Sequence, residues 1–260
     1  MPAQSRCNRS AVAILRFSLL AIAAIFFLPL AVHAAWWFSH DAPLGWSEAD
    51  WSSAHILAPA RTTPQAVVRI YAARTGRWKG ALAVHTWIVV KDRGAPAYIR
   101  FDKTGWGRPV KINNWAADAR WYGHTPFVVA AFDGPTAERL IPKIKAAVAH
   151  YPYNSYGGYA VWPGPNSNSF VAYVLGAIPE AGVAMPPTAI GKDWPAGSHI
   201  VALAPSRTGV QLSLGGLLGV TLGWVEGIEI NFLGLIVGID VRHPALKLPG
   251  FGRIGLGPAG

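Results

Sequence analysis

The amino-terminal segment restricts this chain more than any other feature of its sequence. Residues 1–16 carry three arginines and no acidic residue, and residues 17–32 are apolar apart from Ser18. A basic stretch followed by an apolar stretch of this length is typical of a signal peptide or a signal anchor. The basic end is expected to stay cytoplasmic, so the remainder of the chain is expected to be extracytoplasmic.

Two outcomes are open for this segment. Val32-His33-Ala34 offers small residues for signal cleavage, although His33 departs from the usual pattern. Trp36 and Trp37 follow directly, as aromatic residues do at the outer boundary of a membrane span. We predict that residues 1–34 form an uncleaved single-pass anchor in the cytoplasmic (inner) membrane, with the bulk of the chain in the periplasm. A cleaved and secreted form is the alternative.

The charge balance favours anionic partners at the cell envelope. The formal net charge is +10, and residues 61–120 hold twelve basic residues against three acidic ones. A basic exported domain suits anionic lipid headgroups or anionic cell-wall fragments. Because export removes nucleic acid from reach, no nucleic-acid partner is expected. The oligomeric state is left unpredicted.

The cysteine and histidine content excludes several kinds of site. Cys7 is the single cysteine, so the body of the chain has no disulfide, no cysteine zinc ligand and no cysteine nucleophile. The histidines lack the dense spacing of a metal motif. We therefore predict no metal and no cofactor.

The rest of the chain divides into three parts. Residues 35–64 indicate an irregular linker, residues 65–205 an α+β domain, and residues 206–260 a glycine-rich β extension with a tail. Runs rich in Val, Ile, Tyr and Trp predict strands in the α+β domain at 66–72, 81–91, 97–102 and 127–132.

Two helices are predicted in the same domain. Asp133-Gly134-Pro135 begins the first, an amphipathic helix that Pro142 should kink or divide into two short pieces. The second is expected from Asn166 to Gly176.

The carboxy-terminal extension carries a repeated pattern. Gly209, Gly219, Gly227 and Gly238 each begin an apolar–polar–apolar alternation. This pattern predicts strands joined by tight turns, as a small antiparallel sheet or hairpin pair, with a position on the membrane as one option. The alternative is a second membrane span over the uncharged residues 208–225. The glycines and alternating polar residues of this stretch argue against a spanning helix.

Two segments together could carry chemistry. His85 lies within an apolar strand, and Ser167 lies where a loop meets the start of the second helix. A nucleophile at a helix amino terminus gains from the helix dipole and from free backbone N–H groups that can hold an oxyanion. A histidine facing that helix end could act as its base. Ser167 is equally compatible with a role as a helix N-cap.

These residues resemble a known enzyme motif. Asn166-Ser167-Asn168-Ser169-Phe170 is similar to the Asn-Cys-x-x-Phe motif of circularly permuted papain-like domains of the NlpC/P60 superfamily, with serine in the cysteine position. Lecithin:retinol acyltransferase-like proteins and PPPDE-type isopeptidases belong to that group. His85 fits its catalytic histidine. The resemblance implies an antiparallel sheet with packed helices.

A closer resemblance is to a bacterial membrane-anchored family, domain of unknown function 3750. It covers roughly residues 60–200 and includes the amino-terminal anchor. Its motifs in this sequence are His85-Thr86-Trp87, the segment 162–168 and Ala189-Ile190-Gly191-Lys192-Asp193.

The papain-like resemblance implies roles for individual residues. Ser167 would be the nucleophile and His85 its base, and serine needs a base oriented by a third polar group. We take Asp102 as that group, although spacing does not separate it from Asn113 or Asn114. The predicted binding residues are Asn166, Asn168, Trp87, Tyr153, Trp162 and Lys192.

Two functions follow as expectations. The first is a membrane-tethered Ser–His hydrolase or acyltransferase that acts on envelope amide or ester bonds. The alternative is a catalytically inactive papain-like module that binds an anionic lipid or cell-wall ligand.

Overall fold

The described part of the chain forms two antiparallel sheets and three α-helices. The computed structural model describes residues 2–40, 45–197 and 200–256, with side chains from Val12 onwards. A long amino-terminal helix precedes a five-stranded sheet that carries two helices on one face, and a seven-stranded sheet follows. The predicted α+β class is confirmed. Residues 41–44 of the predicted linker and 257–260 of the predicted tail lie outside the described residues.

The amino-terminal helix α1, Pro2–His40, has the predicted apolar character. Its portion Val12–His40 is long and apolar enough to cross a membrane, and an 18-residue stretch within it has a mean hydropathy of 2.3. A helix with these properties is typical of a membrane anchor or a signal sequence.

Part of α1 packs against the rest of the protein. The side chains of Phe26 and Trp37 are buried. The Arg74 guanidinium lies 5.7 Å from the centre of the Trp37 ring, and the rings of Phe26 and Phe232 are 5.6 Å apart. The helix therefore contacts both sheets.

The five-stranded sheet contains all four strands predicted from the sequence. Its strands run in the order β4-β3-β2-β1-β5. Their bounds are β1 Val67–Arg74, β2 Val84–Lys91, β3 Ile99–Lys103, β4 Val110–Ile112 and β5 Phe127–Asp133. Strand β2 begins later than predicted because Arg77–Ala81 forms a 3-10 turn. The sequence did not predict β4, which is too short to show an alternating pattern.

Two helices, α2 and α3, pack on the same face of this sheet. Helix α2, Gly134–Ala149, is continuous, so the expectation that Pro142 divides it into two pieces is wrong. Leu140, Ile141 and Ile144 are buried against the sheet, and this packing outweighs the hydrogen bond that proline cannot donate. Helix α3, Ser167–Gly176, agrees with the prediction to within one residue.

Strand β2 is buried along its whole length and separates two clusters of side chains. Val84, Ile88 and Val90 face the helices, whereas Trp87 and Val89 face an aromatic cluster on the opposite side. Because neighbouring side chains in a strand point to opposite faces, His85 shares the aromatic side and Thr86 the helix side.

The carboxy-terminal sheet is a seven-stranded meander. Its strands pair in sequence order from β6 to β12. They are β6 Val201–Leu203, β7 Gly209–Leu214, β8 Leu218–Gly223, β9 Gly227–Phe232, β10 Leu235–Asp240, β11 Ala245–Leu248 and β12 Gly252–Gly255. The predicted antiparallel meander is confirmed, and it is larger than a hairpin pair. The glycine repeat in the sequence predicted only β7 to β10, because β6, β11 and β12 do not carry the repeated pattern.

In this sheet the polar residues face the protein interior and the apolar residues face outward, which is the reverse of a sheet with one face in water. Cross-strand pairing puts Gln211, Thr221, Glu229 and Lys247 on one face, which packs inward. Thr221, Glu229 and Lys247 are all buried. The apolar residues of the same strands point away from the protein.

A buried ionic cluster joins this sheet to the preceding domain. Glu229 accepts hydrogen bonds from Lys192 and from Lys247, the latter at 2.5 Å. Asp193 accepts from Lys192, Gln211 and Asn231, each at 2.9 Å. Burial alone would raise the pKa of Glu229, but the two lysines outweigh it and hold that pKa below its ordinary value.

We expect Glu229→Gln to destabilise the protein strongly, because it leaves the buried Lys247 ammonium without a carboxylate and removes one of the two carboxylates that contact Lys192. The expected loss is about 3–5 kcal/mol of unfolding free energy. Denaturant unfolding in detergent at pH 7 measures it. Glu180→Gln is the matched control, since Glu180 pairs with Lys143 at the surface and its loss should cost about 1 kcal/mol or less. Equal losses for the two variants would contradict the structural role of the cluster.

Candidate functional site

A cavity of about 360 Å³ lies at one end of the five-stranded sheet. It is bounded by the turn after β1, the start of β2, the loop after β3 and the amino terminus of α3. Aromatic side chains form much of its wall, namely Trp78, Trp106, Trp121, Tyr122, Tyr159 and Trp162. The wall also contains His85 and Ser167.

A second cavity, of about 570 Å³, lies between α3 and strands β6 and β7. It is larger, but the described residues of its wall include no histidine and no carboxylate. His85 and Ser167 line the smaller cavity.

His85 is held by a buried carboxylate. The His85 Nε2 atom lies 2.9 Å from Asp102 Oδ1. Arg100 donates to the same carboxylate through Nε at 2.6 Å and Nη2 at 2.9 Å. All three side chains are buried. Burial would raise the pKa of Asp102, but the Arg100 charge and the hydrogen bonds outweigh it and keep that pKa below its ordinary value.

This arrangement determines how His85 is protonated. Because an ionised Asp102 can only accept hydrogen bonds, Nε2 carries the ring proton and Nδ1 keeps a free lone pair. Burial is the main cause that lowers the pKa of His85 below 6.5, so the ring is neutral at pH 7. The ring stacks on Trp121, with 3.8 Å between ring centres and an 8° angle between planes. Nδ1 makes no hydrogen bond to any described residue.

The amino terminus of α3 is capped by Asn166. Its Oδ1 accepts from the backbone N–H groups of Asn168 at 2.9 Å and Ser169 at 3.1 Å. The Ser169 hydroxyl accepts in return from the Asn166 N–H at 2.7 Å, completing a capping box. The N-cap role open to Ser167 therefore belongs to its neighbour. Within the described chain, neither the Ser167 hydroxyl nor its backbone N–H has a hydrogen-bond partner.

Asn168 fixes α3 to the sheet. Its Nδ2 donates to the carbonyl oxygens of Val84 at 3.0 Å and Ile190 at 2.8 Å, and its Oδ1 accepts from Thr86 at 2.9 Å. These bonds join the first turn of α3 to the start of β2, and they bring Ser167 to the same cavity as His85.

His85 and Ser167 line the same cavity. No hydrogen bond joins His85 to Ser167 in the part of the chain that the structure describes. Thr86, whose hydroxyl lies 3.5 Å from the Ser167 carbonyl oxygen, points to the opposite face of β2 from His85. His85 and Ser167 both reach the cavity because it lies at the end of β2, where it borders both faces of the strand.

The structure also separates the candidates for the third polar group. Asp102 contacts His85 directly. Asn113 instead accepts a hydrogen bond from the Arg100 backbone N–H at 2.7 Å, so it supports β3 rather than the imidazole. Among the three candidates, Asp102 is the one with the geometry of an orienting group.

Three of the six predicted binding residues line the cavity: Asn166, Asn168 and Trp162. The other three lie elsewhere. Trp87 points into the aromatic cluster, where Arg100 covers its ring at 4.1 Å. Tyr153 donates to the Ala196 carbonyl oxygen, and Lys192 is engaged in the buried ionic cluster.

Sequence reasoning missed three residues near the site. Arg100 and Trp121 hold Asp102 and His85, and alternation along β3 could have placed Arg100 beside Asp102. Lys103 is buried on the other face of β3, where its Nζ donates to the Tyr151 hydroxyl at 3.0 Å. Burial lowers the pKa of Lys103 to about 7.

The described residues contain no group of three His, Cys, Asp or Glu side chains placed to hold a metal ion.

Comparison with known proteins identifies the family. The family model described as a protein of unknown function, DUF3750, matches residues 65–194. The chain belongs to the DUF3750 family. No curated protein and no solved structure matches it. The DUF3750 match contains the cavity, the His85–Asp102 pair and α3, whereas α1 and the seven-stranded sheet lie outside it.

We expect Gly191→Ala to destabilise the DUF3750 domain at this site. Gly191 has φ of +94°, and a Cβ there would lie 2.3 Å from Asn166 Nδ2, so the variant strains the backbone and displaces the cap of α3. The expected loss is about 1–3 kcal/mol of unfolding free energy, measured by denaturant unfolding in detergent. Gly176→Ala, at the end of the same helix with open space around it, should be close to neutral. An unchanged Gly191→Ala protein would contradict this account of the cap.

Proposed function

We propose that this DUF3750 protein is a serine hydrolase or acyltransferase, with Ser167 as nucleophile, His85 as base and Asp102 as the group that orients His85. One observation supports this assignment above the others. The imidazole that Asp102 orients has a free Nδ1 and lines the same cavity as a helix-terminal serine with an unpartnered hydroxyl.

The proposed reaction begins with a proton transfer. His85 Nδ1 takes the proton from Ser167 Oγ as that oxygen attacks the carbonyl carbon of an amide or ester. Asp102 stabilises the resulting imidazolium, and Arg100 keeps Asp102 ionised throughout. Binding of substrate must bring Oγ and Nδ1 to hydrogen-bond distance, since such contacts often tighten only in the complex.

The later steps use the start of α3. The Ser167 N–H and the positive end of the helix dipole stabilise the negative oxygen of the tetrahedral intermediate. The imidazolium then protonates the leaving amine or alcohol, which leaves an acyl group on Ser167. Attack on that ester by water makes the protein a hydrolase, and attack by another nucleophile makes it an acyltransferase.

We infer that the domain is a permuted papain-like fold. Three features support this: the order histidine before nucleophile, the nucleophile at the start of a helix packed on the histidine strand, and an acidic residue on the next strand. Serine replaces the cysteine of that group. Because serine is not ionised near neutral pH, the buried His85–Asp102 pair has to supply the base.

The proposed setting is the outer surface of the inner membrane, with α1 retained as an anchor. The three arginines before the apolar segment support this orientation. Burial of Phe26 and Trp37 against the folded domain supports retention, because cleavage after Ala34 would remove part of that packing. The substrate class is an amide or ester of an envelope peptide or lipid.

We expect a fluorophosphonate probe to label the detergent-solubilised protein at Ser167. Ser167→Ala should abolish labelling, and His85→Ala should slow it by about 10²–10⁴-fold because the base is lost. Ser155→Ala, at an exposed serine of a loop, is the control and should label normally. Intact-mass spectrometry and in-gel fluorescence measure the adduct. Folded wild-type protein that takes up no probe would contradict the catalytic proposal.

The pH dependence of labelling tests the state of His85. Its pKa lies below 6.5 because the ring is buried, and only the neutral ring accepts a proton. The labelling rate should therefore fall to half of its plateau value only below pH 6.5. A rate that already halves above pH 6.5 would show that the charge of Asp102 outweighs burial of the ring, and it would contradict the neutral state assigned to His85.

A second candidate is a binding module without turnover. It is favoured by the lack of a hydrogen bond between His85 and Ser167 in the described chain, and by Lys79, since no described residue of the cavity wall carries a carboxylate. This function requires salt-sensitive binding to anionic vesicles that survives Ser167→Ala and weakens in Lys79→Met.

A further inference from the structure

The seven-stranded sheet has one continuous apolar face, which we call the outer face. One row of directly paired residues crosses every strand, from Leu203 through Val210, Leu222, Ile228, Ile239 and Leu246 to Ile254. Each of the seven is aliphatic and between 41% and 61% exposed. An apolar surface seven strands wide is far larger than the scattered apolar residues of ordinary protein surfaces.

Water is not a suitable environment for this face. In a sheet with one solvated side, polar residues point outward and apolar residues inward. Here Gln211, Glu229 and Lys247 point inward, where their hydrogen bonds and ion pairs are satisfied within the protein. A one-residue shift in register would exchange the two faces, so the pairing itself keeps the apolar side outward.

The outer face is continuous with the apolar surface of α1. The rings of Phe26 and Phe27 lie 5.6 Å and 6.2 Å from the ring of Phe232. Phe232 pairs directly with Leu218 and Leu235, and it shares its face with Ile228 and Ile230. The helix that is apolar enough to cross a membrane therefore contacts the sheet on its apolar side.

The contact between Phe26 and Phe232 gives an approximate depth at which the sheet enters the membrane. Phe26 precedes Val32, the end of the apolar segment, by six residues, which is about 9 Å along a helix. Apolar faces of proteins that lie on one leaflet enter the lipid by about 5–10 Å. The turn between β9 and β10, next to Phe232, would thus reach the depth typical of such proteins.

We propose that the outer face of the seven-stranded sheet is a membrane-binding surface embedded in the acyl chains of the leaflet from which α1 emerges. The sheet lies on the bilayer and does not cross it, because an open sheet has edge groups that the lipid interior cannot satisfy. The occupant of the face is lipid. The inference rests on α1 being retained in the membrane, as proposed above, and not on the chemistry of Ser167.

The test uses the full-length chain with Cys7→Ser and one new cysteine, labelled with a small environment-sensitive fluorophore. Leu222→Cys reports on the outer face, and Leu246→Cys repeats the measurement on another strand if the first label disturbs folding. Val128→Cys, which is 42% exposed on β5, is the matched control. Leu20→Cys, which is 70% exposed on α1, reports whether the helix is inserted.

Each variant is placed in vesicles of phosphatidylethanolamine and phosphatidylglycerol, with quenchers either on the acyl chains or dissolved in water as iodide. We expect lipid quenching at Leu222 and Leu20, and iodide quenching about fivefold weaker at Leu222 than at Val128, because acyl chains exclude the ion.

Iodide quenching at Leu222 equal to that at Val128, with Leu20 quenched by lipid, overturns the proposal. Disulfide-linked dimers of the unlabelled Leu222→Cys protein, together with no lipid quenching of the labelled protein, also overturn it and assign the face to a second copy. Iodide quenching at Leu20 would show that α1 is not inserted in the membrane. That result overturns the premise of the proposal and has no bearing on the chemistry proposed for Ser167.

Discussion

The arrangement of the site depends on β2 being buried on both of its faces. Each residue of this strand has packed neighbours, so the strand can neither slide nor rotate without exposing apolar surface. One face holds α3, through Thr86 and Asn168, and the other holds His85 against Trp121. The strand therefore fixes the position of an imidazole and of a helix terminus at once, and the cavity forms where both reach its end.

Buried charge in this protein is compensated in different ways. Asp102 has Arg100 and His85, and Glu229 has two lysines, so each carboxylate stays ionised despite complete burial. Lys103 has no carboxylate among its described contacts and lies instead against tyrosine rings, which attract a cation only weakly. Without a carboxylate beside it, Lys103 has a lowered pKa, whereas Asp102 stays ionised beside an arginine. A nearby opposite charge therefore decides whether a buried group keeps its own charge.

Much of the fold was predictable from local patterns. The Val, Ile, Tyr and Trp content of β1, β2, β3 and β5, the glycine repeats of β7 to β10 and the apolar α1 are all signals that a single element carries by itself. The failures have a common origin in tertiary contacts. Packing keeps α2 continuous at Pro142, and β4 exists through pairing with β3 although its own sequence is too short to indicate a strand.

The site was predictable only in part, for the same reason. Residue type and position pointed to His85, Ser167 and Asp102, but spacing could not separate Asp102 from Asn113 because that choice depends on pairing between strands. Lys192 was predicted to bind a ligand, but it pairs with Asp193 and, through the sheet that folds against it, with Glu229. Trp87 looked like a ligand contact because its strand gives no indication that both faces are covered.

One hydrogen bond links the two halves of the molecule in a way that affects how the protein should be handled. Trp162, in the cavity wall, donates through Nε1 to the Leu233 carbonyl oxygen at 2.9 Å, and Leu233 belongs to the turn beside Phe232. A displacement of that turn therefore shifts an indole that shapes the cavity. If the outer face binds lipid as proposed, a detergent micelle and a flat lipid disc hold this turn differently, so a result obtained in one setting should be repeated in the other.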